Sequence, residues 1–578
     1  MRTHEALPAA AGIALLLLTP APSAAEGEDA PATRGSIEVG GWDASTDGSP
    51  DVVSEYEPDD GGGEARVEVE TFQDWGHLFL RAHGRASNDQ DAALKLDVGR
   101  SLRSRTEFSS LLHRLGRDPL TNLEAATDHG RYVWHTDLDP DQQYEIDYGV
   151  LTHRTELQLP GARALTVGLG YRRQEREGFK QALTVSHCDS CHVISQSRPI
   201  DETTEDASID AAWAFGGGRV KASFLHRELR QKAPPITLLF DDALQPELRI
   251  PIFDNRLSFD SAEGPQEVHS RPDITKDVAR VEVVLAGLAG FAVELGGVWS
   301  STENENTGLA ADYNGYLVTA AREFKEKWRL RWRARIYSID NDEVFVDIAE
   351  PVAIAGPQRG RTYLEAYGFD PDFLRRSSLD REVFESKTDL RYRIGRKAGT
   401  FKVSWELESI GRDNYEVAPG ETRTTENVLG VSWWGRPRKG MRLRASLRHG
   451  DVENPFALVD GGLSTLVSPR VSSPFAPEAA QYFEFQDART AQTTAAPETW
   501  DELKLSSSQL FGGRNLSLSY RYWDGDNDEG DFTAWSRTQH SATASLWASP
   551  APRWQWNVAY TWQDTELGFP IFIPIFDG

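Results

Sequence analysis

Long apolar runs, positive charge and cysteine are all scarce in this sequence of 578 residues. Beyond the first 25 residues, no stretch approaches the roughly 18 consecutive apolar residues of a membrane helix, which excludes a helical membrane protein. Asp and Glu number 89 against 62 Lys and Arg, and this net charge of -27 argues against a nucleic-acid-binding protein. Cys188 and Cys191 are the only cysteines, and without a second Cys pair a four-ligand zinc site is poorly supported.

The N-terminus has the features of a secretory signal. One basic residue, Arg2, precedes an apolar run over residues 7–18 and a small-residue segment that ends at Ala25, where we predict cleavage. The mature protein is therefore expected outside the cytoplasm, where c-type haem is attached. Residues 26–63 are acidic and contain Gly and Pro, and we interpret them as a mobile N-terminal segment with a candidate strand over 35–42.

From Glu64 onward the chain alternates between apolar and polar residues with a period of two. This pattern predicts strands with one apolar, aromatic face, because successive side chains of a strand point to opposite sides. The clearest examples are residues 165–172, 401–408, 515–522 and 554–562. We see no linker that divides residues 64–578 into separate domains.

The predicted connections alternate in length. Short turns are expected at 159–162, 216–218, 286–290, 395–399, 512–513 and 549–552, and long polar loops at 173–205, 301–311, 345–385, 450–498 and 524–533. Short turns at one rim and long loops at the other are typical of outer-membrane β-barrels. We predict an all-β, large antiparallel transmembrane β-barrel of roughly 18–24 strands, with short periplasmic turns and long outer loops. A soluble sandwich or propeller is the alternative fold.

Several predicted strands carry arginine at every second position. An arginine at the lipid midplane costs about 2–4 kcal/mol, so these side chains are expected to line the lumen. One interpretation is that they pair with acids such as Glu406 and Glu408; the other is a surface for an anionic guest, either small anions or an inserted cytochrome. The lumen candidates are Arg329, Arg331, Arg333, Arg335, Arg391, Arg393, Arg442, Arg444 and Arg448.

The sequence Cys188-Asp189-Ser190-Cys191-His192 matches the attachment signature of a c-type haem. Two thiols at this spacing can reach the two vinyl groups of one porphyrin, and the following histidine can bind iron as the proximal ligand. We predict one covalent haem c on Cys188, Cys191 and His192. A local disulfide or redox-active thiol pair, and a different metal site, are the alternatives.

The distal side of this haem is expected to hold a second histidine or an open position. Met1 leaves with the signal peptide and Met441 lies far along the chain, so a methionine ligand is not expected. His187 is too close in sequence to reach the other haem face. The candidate distal ligands are His113, His129, His135, His153 and His226.

The acidic segment 524–531 resembles a calcium-binding loop. It lacks glycine at the sixth position, and Trp535 stands where a bidentate glutamate would close the site. We therefore predict a solvated loop rather than a calcium site.

A signal peptide, a wide predicted barrel and a haem motif together resemble the MtrB/PioB-type porin component of porin–cytochrome conduits. The resemblance spans most of the chain from Glu64 and depends on architecture more than on a sharp motif. It implies a sheath in outer-membrane lipid around a periplasmic multihaem c-type cytochrome, with an outer-surface cytochrome as a further candidate partner. Such a protein supports electron transfer across the outer membrane and is not an enzyme.

Two features depart from that family. Its Cys-x-x-Cys pair lies near the mature N-terminus and is not a haem site, whereas Cys188 and Cys191 lie in the predicted loop 173–205, at the outer rim or folded into the lumen. The chain also ends in Phe576-Asp577-Gly578 rather than in an aromatic residue, so either closing strands are missing or closure is atypical.

Two other functions remain open at this point. The first is an anion-selective diffusion porin in which the arginine strands form the selectivity wall and Cys188 and Cys191 form a local disulfide. The second is a haem-dependent reductase at the cell surface, for which the sequence offers no Ser/His/Asp or paired-carboxylate constellation.

Overall fold

A computed structural model gives the structure of the chain. It describes residues 33–43, 55–56, 62–85, 89–121, 125–126, 132–159, 161–162, 164–187, 192–241, 264–346, 359–362, 365, 373–375, 380–395, 397–412, 423–455, 497–530, 533–551 and 554–569. The predicted signal peptide, Cys188, Cys191 and His129 lie outside these ranges.

Strands dominate the described residues. The first half of the chain contains β1 Thr33–Trp42, β2 Gly62–Gln73, β3 Gly76–Arg85, β4 Gln90–Val98, β5 Leu102–Leu115, β6 Ala125–Ala126, β7 Tyr132–Asp137, β8 Tyr144–Gln158, β9 Leu165–His187, β10 His192–Phe215, β11 Gly218–Gln231, β12 Ile236–Leu238, β13 Gln266–Val268 and β14 Ile274–Leu288. The second half contains β15 Phe291–Asn304, β16 Leu309–Phe324, β17 Trp328–Asn341, β18 Val344–Val346, β19 Phe373–Arg375, β20 Arg381–Gly395, β21 Gly399–Gly411, β22 Arg423–Gly435, β23 Met441–Glu453, β24 Thr499–Phe511, β25 Arg514–Gly530, β26 Thr533–Ala551 and β27 Trp554–Gly568.

The chain divides into two compact units. Unit 1 comprises residues 1–215, 221–279 and 302–308, and unit 2 comprises residues 216–220, 280–301 and 309–578. In unit 1 the antiparallel order is β1–β2–β3–β4–β5–β8–β9–β10, and β7 adds to β10 in parallel over His192–Ser195. In unit 2 the antiparallel order runs from β16 to β17, then from β20 to β27 without interruption.

The register of unit 2 aligns apolar residues into rows on one face of the sheet. One such row is Leu330, Leu390, Val403, Val431, Leu447 and Leu503, each a direct cross-strand partner of the next. Its members include highly exposed side chains, such as Leu447 at 55%. Many other large apolar residues of this face are equally exposed, as expected of a surface that meets lipid. We call this surface the apolar face, and the opposite surface the polar face.

The connections confirm the predicted alternation in part. Tight turns join β10 to β11, β14 to β15 and β24 to β25, where short turns were predicted. The predicted long loops 301–311, 173–205 and 524–533 are wrong. Residues 305–308 form a short turn, and the other two segments continue as paired strands of the β9–β10 and β25–β26 hairpins. Hydrophobic patterning failed there because charged residues interrupt the apolar–polar alternation while the backbone pairing continues.

The fold class predicted from the sequence is confirmed. Within the described ranges, 23 strands are assigned to one sheet, and β12–β13 and β18–β19 form separate two-stranded sheets. The predicted strand over 35–42 is present as β1, and β2 begins at Gly62, close to the predicted start at Glu64. An antiparallel sheet of this size with an apolar outer surface is the architecture of the large transmembrane β-barrels.

Helices do not supply a membrane anchor in the part of the chain that the structure describes. None there is long and apolar enough to span a bilayer.

Leu518 and Ser519 provide a direct test of the two faces, since they are neighbours on β25 and both are exposed. We expect Leu518→Arg to lower the free energy of unfolding in lipid vesicles by about 2–4 kcal/mol, because it places a guanidinium in hydrocarbon. Ser519→Arg, among the polar-face residues Ser506 and Thr543, should change it far less. Denaturant titration followed by tryptophan fluorescence measures both, and equal costs would contradict the assignment of the faces.

Candidate functional site

The haem motif lies at the tip of the β9–β10 hairpin. β9 ends at His187, β10 begins at His192, and these two residues are Cα partners in the antiparallel ladder. Cys188 and Cys191 lie between them and outside the described residues. The two thiol-bearing residues therefore connect the ends of two paired strands and do not belong to a long irregular loop.

The hairpin extends well past the first apolar stretch of β9. On one side of β9, residues Leu165 to Tyr171 are apolar or glycine-spaced, Arg173 to Glu177 are charged, and exposed apolar residues return at Phe179, Leu183 and Val185. Arg173 binds Glu175 on its own strand and Glu205 on β10, the latter at 3.1 Å. From there to His187 the chain covers roughly 50 Å at about 3.3 Å per residue, measured along β9. The motif thus lies on the rim with the longer connections, which faces outward in outer-membrane barrels.

Three residues contact the imidazole of His192. It is 8% exposed, and its Nδ1 lies 2.5 Å from Oδ2 of Asp241. Its Nε2 lies 2.8 Å from Oγ1 of Thr136, and the ring of Trp134 stacks on the imidazole with centroids 4.9 Å apart. Trp134 and Thr136 belong to β7, which pairs in parallel with β10 at this point.

These contacts fit an axial haem ligand. Metal-binding histidines characteristically donate their second ring N–H to a carboxylate or carbonyl, and Asp241 occupies that position at Nδ1. Nε2 is then the nitrogen left for iron. Its present partner, the Thr136 hydroxyl, belongs to an exposed side chain that can rotate away without disturbing the core.

The other candidate histidines have separate surroundings. His113 contacts Glu55 at 2.9 Å, His153 contacts Thr106 at 2.9 Å, and His226 contacts Asp277 at 2.7 Å. His135 lies beside Val193 in the β7–β10 pair, and its side chain points to the side opposite Trp134 and Thr136. None of these contacts involves His192, and the distal ligand stays a prediction.

A group of basic residues lies on the hairpin between the apolar face and the motif. Glu202, which is 5% exposed, accepts bonds from Arg176 at 2.8 Å and from Arg271 at 2.7 Å. Arg198 and Lys180 are cross-strand partners in the next rows. Burial and the nearby Arg271 lower the pKa of Arg198, against the attraction of Glu202. Cations outnumber the single buried carboxylate in this cluster.

The predicted lumen arginines lie on the polar face of unit 2. On β17, Arg329 is opposite Arg391 and Arg333 is opposite Lys387, so like charges face each other directly across the β17–β20 pair. Such pairs are unfavourable without an anion nearby. On the other side of β17, Arg331 and Arg333 face Ala321 and Thr319. The four β17 arginines form a basic row, which we call the cationic strip. Carboxylates compensate part of it, because Arg329 lies 3.7 Å from Glu323, Arg331 is opposite Asp389 and Arg335 binds Glu385.

Pairing with acids, one of the two interpretations of these arginines, applies to part of the polar face. Arg448 lies 3.2 Å from Glu406, and Arg335 binds Glu385, so part of the wall is neutralised by acids as predicted. Arg391 shares Asp389 with Lys402, at 3.6 and 3.1 Å. Arg393, Arg442 and Arg444 alternate with the apolar residues of β20 and β23 in the same sense.

Glu502 on β24 is the most enclosed acid of the polar face, and the sequence analysis missed it. Its side chain is 4% exposed and lies 2.7 Å from Lys504, 2.8 Å from Arg521 and 3.8 Å from Arg448. A buried carboxylate among three cations ties β23, β24 and β25 together. The alternation of β24 indicates the face of Glu502, but only the register identifies its partners.

The acidic segment 524–531 is not the predicted loop. Residues up to Gly530 belong to β25, where Asp524 binds Thr538 at 2.6 Å and Asp526 binds Thr499 at 3.1 Å. Among the described residues, no group of three or more His, Cys, Asp or Glu side chains has the arrangement of a metal site.

The structure explains how this chain resides in a membrane. Strands of one antiparallel sheet satisfy each other's backbone groups, and the exposed apolar face suits hydrocarbon. Charged residues are concentrated on the polar face and on the extended hairpins. The chain is an outer-membrane β-barrel protein.

Comparisons with known proteins find only distant similarity. No protein-family model matches the chain, and no curated protein matches it. Among solved structures, the ferric preacinetobactin receptor BauA of Acinetobacter baumannii is 13% identical over 93% of this chain and 80% of that one, with a TM-score of 0.36. The FrpB iron transporter of Neisseria meningitidis is 9% identical over 87% and 80%, with a TM-score of 0.42. OmpT of Vibrio cholerae is 10% identical over 67% and 88%, with a TM-score of 0.26. At such values these likenesses add no argument about function, and the resemblance to the MtrB/PioB-type family stays a prediction.

Proposed function

We propose that this chain is the outer-membrane sheath of an electron conduit, enclosing a periplasmic multihaem c-type cytochrome and bearing one haem c at its outer rim. The observation that carries the proposal is the surroundings of His192. A Cys-x-x-Cys-His motif stands at the tip of the β9–β10 hairpin, and the imidazole that would bind iron already has its Nδ1 engaged by Asp241.

Three residues of the chain would bind this haem. Cys188 and Cys191 would hold the haem through thioether bonds to its two vinyl groups, which need no external oxidant. His192 would offer Nε2 to iron, and Trp134 covers one side of its ring. Haem c supplies a one-electron redox centre when bound.

The polar face supports the sheath role. Barrel diameter grows with strand number, and a sheet of this size encloses a lumen that side chains alone do not fill. The cationic strip of β17 and the basic row of Arg391, Lys402 and Lys504 offer complementary charge to haem propionates and to acidic patches of an inserted cytochrome. An outer-surface cytochrome could then accept electrons near the hairpin tip.

An anion-selective diffusion porin is the second candidate function. The direct opposition of Arg329 to Arg391 and of Arg333 to Lys387 favours it, because small anions would relieve that repulsion. In this case Cys188 and Cys191 would form a disulfide, and the hydrogen bond between Thr136 and His192 Nε2 would be permanent.

Covalent haem is tested by a haem-stained denaturing gel. Protein matured in a host competent for cytochrome c assembly should give a peroxidase-active band at its own mass, because thioether bonds survive denaturation. Cys188→Ala/Cys191→Ala should lose that band completely, whereas His187→Gln, which changes the other end of the hairpin tip, should keep it. An unstained parent protein would contradict the haem proposal and leave the cysteines as a disulfide.

Ion conductance in planar bilayers separates the sheath from the porin. The protein purified with its cytochrome should conduct weakly, since the lumen is filled, and the porin should conduct strongly with a preference for chloride. In the porin, Arg331→Glu/Arg333→Glu should shift the reversal potential toward cation selectivity, while Arg331→Lys/Arg333→Lys should not, because charge is kept. High chloride-selective conductance from protein that retains its cytochrome would contradict the sheath.

A further inference from the structure

We propose that Asp241 is the positioning residue of His192. It fixes the imidazole in the tautomer with hydrogen on Nδ1, so that Nε2, which accepts from the Thr136 hydroxyl, is the nitrogen that would bind haem iron. This inference deepens the proposed function, since iron is the ligand that Nε2 would take. The hydrogen-bond arrangement itself exists without haem.

The tautomer follows from the chemistry of the two partners. A carboxylate can only accept, so the 2.5 Å contact between Asp241 Oδ2 and His192 Nδ1 requires hydrogen on Nδ1. A neutral imidazole then carries its lone pair on Nε2. The hydroxyl of Thr136, 2.8 Å away, donates to that lone pair. Nε2 is therefore presented as an acceptor, which is the state a metal ion requires.

Asp241 is itself fixed to the hairpin. Its backbone N–H donates to Oγ of Ser186 at 2.7 Å, and Ser186, on β9, is only 1% exposed. The carboxylate is thereby anchored one residue before the hairpin-end pair of His187 and His192. The position of Asp241 depends on the same hairpin as the motif that it serves.

The hydrogen bond between Thr136 and His192 Nε2 can break without loss of the contacts that hold β7 against β10. β7 is fastened to β10 below the histidine, where the Leu138 N–H donates to the Ser195 carbonyl at 2.9 Å and the Ser197 N–H donates to Asp139 at 2.6 Å. Thr136 is exposed, and rotation of its side chain frees Nε2 while these bonds remain. Trp134 would still stack on the imidazole of His192 after Thr136 has rotated.

A carboxylate on Nδ1–H also has an electronic consequence. A hydrogen bond from Nδ1–H to a carboxylate makes Nε2 a stronger electron donor to a metal ion, which would favour the ferric over the ferrous state of a haem iron held there. Asp241 should therefore lower the reduction potential of the haem. A merely structural aspartate at this position would leave the potential unchanged once the protein had folded.

The first test needs no haem. In haem-free Cys188→Ala/Cys191→Ala protein with ¹⁵N-labelled histidine, solid-state NMR reports the tautomer of each ring, and the His192 signal is the one that His192→Gln removes. We expect hydrogen on Nδ1 of His192, and a mixture of tautomers in the added variant Asp241→Asn. Hydrogen on Nε2 in the parent, or no change in the variant, would overturn the inference whether or not the protein binds haem.

The second test uses the haem-loaded protein and spectroelectrochemical titration. Asp241→Asn should keep its covalent haem but raise the midpoint potential, and a tenfold change in the ferric preference corresponds to about 59 mV for one electron. Asp139→Asn is the matched control, because it removes a carboxylate that fastens β7 without touching His192. Ser186→Ala, which only loosens Asp241, should give a smaller shift in the same direction. Equal potentials in the Asp241→Asn and Asp139→Asn variants would overturn the inference.

Absence of haem from the parent protein would refute the proposed function alone, because the tautomer measurement still decides the role of Asp241.

Discussion

The constraint on which this structure depends is that backbone N–H and C=O groups in hydrocarbon must bond to one another. An antiparallel sheet meets this requirement between neighbouring strands, and the ladder from β20 to β27 does so without interruption. Once the ladder is fixed, successive side chains must point to opposite faces. The apolar row that includes Leu447 and the adjacent polar row that includes Arg448 are therefore consequences of a single backbone arrangement.

The register of the sheet also decides which charged side chains face each other, including pairs of like charge that are unfavourable by themselves. A strand with arginine at alternate positions puts every guanidinium on one face, and the register of β17 against β20 then brings Arg329 to Arg391 and Arg333 to Lys387. Elsewhere the register supplies the compensation, as at Glu502, whose carboxylate is surrounded by cations from three strands. The polar face is thus a mixture of satisfied networks and a partly compensated cationic strip.

Where charged residues interrupt the alternation of hydrophobicity, the ladder of strands continues. The β9–β10 hairpin shows this, since its pairing runs to His187 and His192 although Arg173, Glu175 and Glu177 follow the apolar residues of β9. Loops were predicted there because the sequence signal for strands is the hydrophobic period, and charged residues break that signal without breaking the backbone pairing. Residues 188–191 are therefore flanked on both sides by paired strands.

The sequence by itself determined the all-β class, the approximate strand number, the two faces and the presence of the Cys-x-x-Cys-His motif, because each depends on the order of residues within one strand or one turn. Tertiary structure decided what surrounds His192. Thr136 is 56 residues away and Asp241 is 49 residues away, and neither carries a local signal of its role. The Thr136 contact depends on the parallel register of β7 with β10, since a shift of one residue would turn its side chain to the opposite face. The Asp241 contact depends on the hydrogen bond from its backbone N–H to Ser186 of β9.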